Sequence, residues 1–239
     1  MVNLPILSLA LWFPIIGGFL ILLFGLFSKK IPVIGFKLVA LCVAFSSLVL
    51  SFIPLVYFER SVYDMQFVEK MVWITDFDIN YFLGVDGISI FFLPLTSLVT
   101  LIVIISAWEV IQKNVSLYLG NFLIMSGLLI GVFCALDGIL FYVFFEATLI
   151  PMYFIIGIWG GQNRIYAAVK FFLYTLLGSL LALVALIYLY LLTKSFSILD
   201  WHKFALDLPV QIYLFVALFL AFAVKIPMWP VHTWLPDAH

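Results

Sequence analysis

GILFYVFFEATLIPMYFIIGIW, residues 138–159, runs for 22 residues with a single charge, Glu146, and a single proline, Pro151. About 20 mainly apolar residues, rising about 1.5 Å each as helix, cross the roughly 30 Å hydrocarbon core of a bilayer. Glu146 stands nine residues beyond Asp137 and eighteen before Arg164, near the middle of such a span and beyond the reach of snorkelling. A charge there costs at least a few kcal/mol. Two readings stay open: a structural Glu paired with a neighbouring helix, or a proton or ion site. Five residues on, Pro151 has no N–H and leaves the carbonyl of Ala147 without its helical donor, so a polar defect adjoins the carboxylate.

Outward from this stretch the same pattern repeats. Six further apolar segments qualify: one before Lys29, then 38–58, 87–108, 113–137, 171–193 and 208–225. Strands of alternating polarity about ten residues long are absent, so the expected fold is all-α, a polytopic membrane protein of about seven transmembrane helices. Composition agrees: the chain of 239 residues is 67% hydrophobic and 10% charged, against roughly 25% charged in an ordinary soluble domain. A net charge of -1 gives no basic field for nucleic acid, and the surroundings of the spans are lipid. No charged side chain precedes Lys29, so the basic region of a signal peptide is missing and the first span is expected to be retained. The connection near 59–86, with Trp73, Tyr81 and Phe82, is expected to pack along the membrane interface.

Basic residues stay on the cytoplasmic or matrix side. With the N-terminus outward, Lys29, Lys30, Lys37, Lys113, Arg164 and Lys170 fall inside, and Arg60, Lys70, Lys194 and Lys203 fall outside in longer loops. Cys42 and Cys134 each lie in an apolar stretch with no Cys or His at metal-ligand spacing, and read as buried core thiols. Gly157, Gly160 and Gly161 have the wrong spacing for a nucleotide loop, and no cysteine cluster could hold an iron–sulfur centre.

The second anomalous charge is Lys225, seventeen uncharged residues after Asp207, which reads either as an interfacial snorkelling lysine or as an intramembrane one. Pro227, Pro230 and Pro236 follow, so the seventh helix is expected to be broken there; broken helices are tolerated where they line a polar cavity. His232 and His239 add groups that titrate near neutral pH, or are belt residues beside Trp229 and Trp234. Lys170, at the start of the sixth span, has the place of a positive-inside anchor.

The stretches GVDGIS (84–89), FFEATLIPMYFIIGIWGG (144–161), RIYAAVKFFLYT (164–175) and FAVKIPMWPVHTWLPDAH (222–239) resemble the subunit 4 (bacterial chain M) family of respiratory NADH:quinone oxidoreductase, complex I. The resemblance runs along the whole chain, and its last motif is shared with other antiporter-like subunits. It implies a proton-translocating membrane-arm subunit in the mitochondrial inner membrane, or the bacterial one. It implies further that Glu146 pairs with Lys225 of the broken helix, and that Lys170 and His232, with His239, serve the proton route. A carboxylate beside an ammonium keeps it charged in low dielectric, and pulling the two apart favours release of the proton.

NADH, FMN, iron–sulfur clusters and quinone would then sit in other subunits of the complex, with none bound by this chain. Residues 1–110 would carry helices 1–3 and the loop near 59–86, and residues 111–239 helices 4–7, the first half of an inverted repeat. Family members continue for about as many residues again, so a second polypeptide, or a missing C-terminal half, is expected to complete the path. Two alternatives are a subunit of a multi-chain cation/proton antiporter and a non-pumping membrane scaffold.

The orientation is directly testable. Cysteines introduced as Lys30→Cys and Asn163→Cys, with Cys42 and Cys134 replaced, should react with impermeant thiol reagents from the cytoplasmic or matrix side only. Labelling from the opposite side would invert the topology.

Overall fold

The computed structural model describes residues 4–27 and 32–238; Lys29, Lys30 and His239 lie outside the described residues. Among the described residues, seven helical segments are long and apolar enough to cross a membrane, from 18 to 30 residues each. Helix is the economical form because it pairs its own backbone groups where no water can. The chain forms two compact units, residues 1–71 with 81–135, and residues 72–80 with 136–239.

The first unit holds α1 (Ile6–Phe27), α2 (Val33–Val56), α3 (Ser89–Val110) and α4 (Val115–Cys134). Their cores are built on small residues that let backbones approach. A Cβ on Gly127 would stand 2.4 Å from the Leu11 carbonyl oxygen, and one on Gly18 2.6 Å from that of Gly120. One packed cluster joins Ile21 of α1, Ala40 and Ala44 of α2, Ile104 of α3, and Leu119 and Leu123 of α4. The opposite face of α2, with Leu38, Val39, Phe45 and Val49, is exposed to the surroundings. Cys42 lies on that face and is exposed, contrary to the reading of a core thiol, because the helical period sets it away from Ala40, Ala44 and Ser47. Cys134 is buried as expected.

The connection 59–86 is not a plain loop. It carries a hairpin of β1 (Gln66–Ile74) and β2 (Ile79–Val85), joined by a 3₁₀ turn over Thr75–Phe77 and by Asp78 in the left-handed region. Its β-branched and aromatic residues suit a pleated, half-buried ribbon, and β2 is almost wholly buried. Glu69 of β1 closes the start of α1: its carboxylate accepts the N–H groups of Leu7 at 2.8 Å and Ser8 at 3.1 Å, and the Ser8 hydroxyl as well. An anion is favoured at that end of a helix. At the start of α3, Asp86 accepts from the N–H groups of Ile88 and Ser89, and the Ser89 hydroxyl accepts from the Asp86 N–H, a reciprocal cap that explains the GVDGIS stretch.

The second unit holds α5 (Gly138–Ala147), α6 (Leu149–Trp159), α7 (Arg164–Thr193), α8 (Ile198–Lys203), α9 (Leu208–Lys225) and α10 (Leu235–Ala238). The span expected from Gly138 to Trp159 is therefore two helices meeting at Thr148. The sixth span begins at Arg164 and is longer than the apolar run alone indicates. Leu149 and Ile156 of α6, Ala167, Ala168 and Phe171 of α7, and Trp234 form one core; α7 and α9 share another through Ala185, Leu189 and Leu214.

The contact of α1 with α4 gives a stability test. Gly127→Ala should destabilise the chain by about 1–3 kcal/mol, because the new methyl meets a carbonyl that cannot retreat without moving a helix. Gly161→Ala, where a Cβ meets nothing within 4 Å, should leave thermal unfolding in lipid nanodiscs unchanged.

Candidate functional site

The carboxylate that interrupts the fifth span is positioned from both ends of α5. At the start, Asp137 is buried; its Oδ1 accepts the N–H groups of Ile139 and Leu140 at 2.9 and 3.1 Å, and its Oδ2 accepts that of Asn80 at 3.0 Å. Burial pushes the Asp137 carboxyl above its ordinary range, and these three N–H groups work against that rise. The Gly138 N–H donates to the Phe196 carbonyl and the Ile198 N–H to that of Leu136, so the loop after α7 holds the same end.

At its other end α5 stops one residue after Glu146. Pro151 lies inside α6; beside the polar defect expected at the Ala147 carbonyl, the helix divides at Thr148. Three groups meet there. The Lys225 ammonium, on the last residue of α9, donates to the Phe145 carbonyl at 3.1 Å and to the Thr148 hydroxyl oxygen at 3.2 Å. The Thr148 hydroxyl in turn donates to the Phe145 carbonyl at 2.7 Å. The ammonium also lies 3.7 Å from the centroid of the Phe145 ring, which packs edge-on against Phe222 and stacks with Phe141. A cation that caps a broken helix and sits on an aromatic face is held without a carboxylate partner.

Glu146 is thus brought into the same unit as Lys225 but not into ion-pair contact with it, and its Oε1 is buried with no hydrogen-bond partner. The Ser179 hydroxyl of α7, Tyr142 one turn back on α5, and Lys225 are among the groups that act on its carboxyl. Ser179 follows Gly178, where a Cβ would stand 2.8 Å from Val224, so α7 and α9 touch beside the site. After Lys225 the helix ends, as its prolines imply. Met228 donates back to the Ala223 carbonyl at 2.8 Å, and the indole N–H of Trp234 to that of Val224 at 2.8 Å.

Lys170 forms an ion pair with Asp237 of α10 at 2.6 Å and lies over the ring of Tyr166. His232 has a buried Nδ1 with no hydrogen-bond partner, while its neighbour Thr233 donates to the Tyr174 hydroxyl oxygen at 3.0 Å. His239 lies outside the described residues. Sequence reasoning missed Thr148, Phe145 and Asp237. A signal existed for the last, since Asp237 is the one acidic residue after Asp207.

A polytopic helical membrane chain with a divided fifth span that carries a glutamate, and a lysine at the end of the seventh, is of the antiporter-like membrane class. Residues 135–239 match the family described as NADH:quinone oxidoreductase/Mrp antiporter, TM. The chain is 46% identical over 245 residues to NADH-quinone oxidoreductase subunit M of Rickettsia bellii, a match over 100% of this chain and 49% of that protein. It is 42% identical over 227 residues to NADH-ubiquinone oxidoreductase chain 4 of Arabidopsis thaliana, over 95% and 45%. A chain in respiratory complex I from Thermus thermophilus with bound NADH superposes with a TM-score of 0.84 at 29% identity, over 98% of this chain and 46% of that one. The membrane-bound sulfane sulfur reductase, an archaeal respiratory membrane complex, shares the fold with a TM-score of 0.79 at 18% identity, over 98% and 47%. The chain belongs to the family of NADH-quinone oxidoreductase subunit M, also named chain 4. It spans about half the length of the curated relatives it matches.

The Lys225 contact predicts a coupling. Thr148→Val keeps the shape and removes an acceptor from a charged donor, so it should cost about 1.5–3 kcal/mol in the wild-type background. With Lys225→Met the same substitution should cost much less, and a double-mutant cycle of thermal unfolding reads the difference.

Proposed function

We propose that this chain is a proton-translocating membrane-arm subunit of respiratory complex I and carries the first half-channel of that subunit. The observation that carries the reading is the Lys225 ammonium seated on the Phe145 carbonyl and Thr148, close to a glutamate with an unpartnered buried oxygen. Two titratable groups of opposite charge, near but not in contact, can exchange between a joined and a separated state. Joined, the carboxylate stabilises the ammonium; separated, Lys225 keeps only neutral acceptors and its proton is free to move along the path. Thr148, which can donate and accept, is the hinge-side partner in that exchange.

Lys170, paired with Asp237, and His232, with its unpartnered Nδ1, extend the proposed route, and His239 is assigned to it from the family motif. Redox chemistry would be supplied elsewhere, with NADH, FMN, iron–sulfur clusters and quinone in other subunits. The membrane is the mitochondrial inner membrane or its bacterial counterpart. Residues 111–239 form, on this reading, the first half of an inverted repeat, preceded by the helices of 1–110. The relatives are about twice as long, so further helices, in this or a second polypeptide, would complete the path and cover α9, of which 17% is buried.

Glu146→Gln tests the proposal in the assembled complex. Gln keeps size and hydrogen bonding and loses the titratable charge. Proton pumping and coupled quinone reduction should fall severalfold while assembly on native gels is retained. Unchanged pumping would return Glu146 to a structural role and leave the scaffold reading. The family description also covers Mrp antiporters, and sodium-dependent proton exchange in isolated membranes would favour that activity instead.

A further inference from the structure

Among its described residues the first unit contains three buried hydroxyls without partners: Ser47 on α2, Ser97 on α3 and Ser126 on α4, at 1%, 1% and 2% exposure. They differ from the other buried hydroxyls of these helices. Ser51 donates to the Leu48 carbonyl and Thr100 to that of Thr96, the usual way a helix satisfies such a group, whereas these three make no such return bond. An isolated buried hydroxyl without a partner is costly, and three in one small unit require an explanation.

Their placement brings them to one level. Ser47 lies nine residues from the end of α2 at Val56, Ser97 eight from the start of α3 at Ser89, and Ser126 eight from the end of α4 at Cys134. These are about 12–14 Å of helix in each case. The three ends share one side of the unit: a Cβ on Gly87, just before α3, would stand 4.0 Å from the Phe58 ring that follows α2, and Leu83 of the hairpin bridges to Ala135 after α4. The faces also agree. Ser47 continues the stripe of Ala40 and Ala44, Ser126 that of Leu119 and Leu123, and Ser97 that of Ile104 and Thr100. Ala40, Ala44, Ile104, Leu119 and Leu123 belong to one packed cluster, so the three stripes converge.

We infer that Ser47, Ser97 and Ser126 together bind a buried water molecule that joins α2, α3 and α4. Each hydroxyl offers one donor and two acceptor sites, and a buried water is held by two to four polar partners. Three serines converging from three helices supply that set with no charged group. This site is built from residues that the proton route does not use.

The experiment uses the full chain in lipid nanodiscs, with Ser47→Ala, Ser97→Ala and Ser126→Ala made singly and in pairs. If a shared water is bound, each single substitution lowers the apparent Tm, by about 2–4 °C, and each pair lowers it by less than the two single shifts added together. Single substitutions that raise the Tm, or shifts that add, overturn the inference, because dry, independent hydroxyls behave so. A cryo-EM map of the unsubstituted protein in its assembly, resolving ordered water, decides the matter should a variant fail to fold. A peak within hydrogen-bond reach of all three Oγ atoms supports the site, and well-resolved serines with no peak between them refute it.

Discussion

The ammonium of Lys225 reaching the open end of α5 is the interaction on which the second unit depends. A helix that stops inside hydrocarbon leaves carbonyls that no water can satisfy, and each unsatisfied group costs several kcal/mol. Here the Phe145 carbonyl receives both the Thr148 hydroxyl and the Lys225 ammonium. A charge that is expensive to bury and a break that is expensive to leave open therefore offset one another. The end of α9 and the junction of α5 with α6 therefore meet at the same two acceptors, the Phe145 carbonyl and the Thr148 hydroxyl oxygen.

Much of the surrounding architecture serves to keep that meeting point fixed. Asp137 sets the start of α5, so Glu146 stands at a defined depth nine residues on. Gly178 lets α9 lie directly against α7 at Val224, one residue before the lysine. The carbonyl of Val224 is taken by the Trp234 indole, whose ring packs on Phe171 of α7. The irregular chain after Lys225 is thus folded back on the same helix that carries Ser179, and the Lys170–Asp237 pair fastens its far end.

The first unit rests on different physics. Among its described residues no span is broken, and its helices approach through Gly18, Gly120 and Gly127. Its polar connections concentrate at the hairpin, where Glu69, Ser8, Tyr81 and Trp12 form one network at the start of α1. Outside the hydrocarbon such bonds can be exchanged for water; inside it, small residues and dispersion hold the helices together.

Hydropathy alone determined seven spans, because the length needed to cross a bilayer leaves few ways to divide such a chain, and the isolated charges at Glu146 and Lys225 were legible for the same reason. The hairpin was not, since β2 is buried on both faces and shows no alternation to read. Cys42 was misplaced because a uniformly apolar helix gives no sign of which face is enclosed, and only the packing of Ala40 and Ala44 against α3 and α4 settles it. Pro151 announced a polar defect beside Glu146, but the division of the helix at Thr148 and the lysine that donates there depend on where α9 ends in space. The pairing of Lys170 with Asp237, sixty-seven residues apart, likewise needed the fold-back of the last segment. Sequence determined which groups are costly to bury, a property of each residue and its depth; tertiary structure decided which partner relieves each cost, because hydrogen bonds and ion pairs act only over a few ångströms.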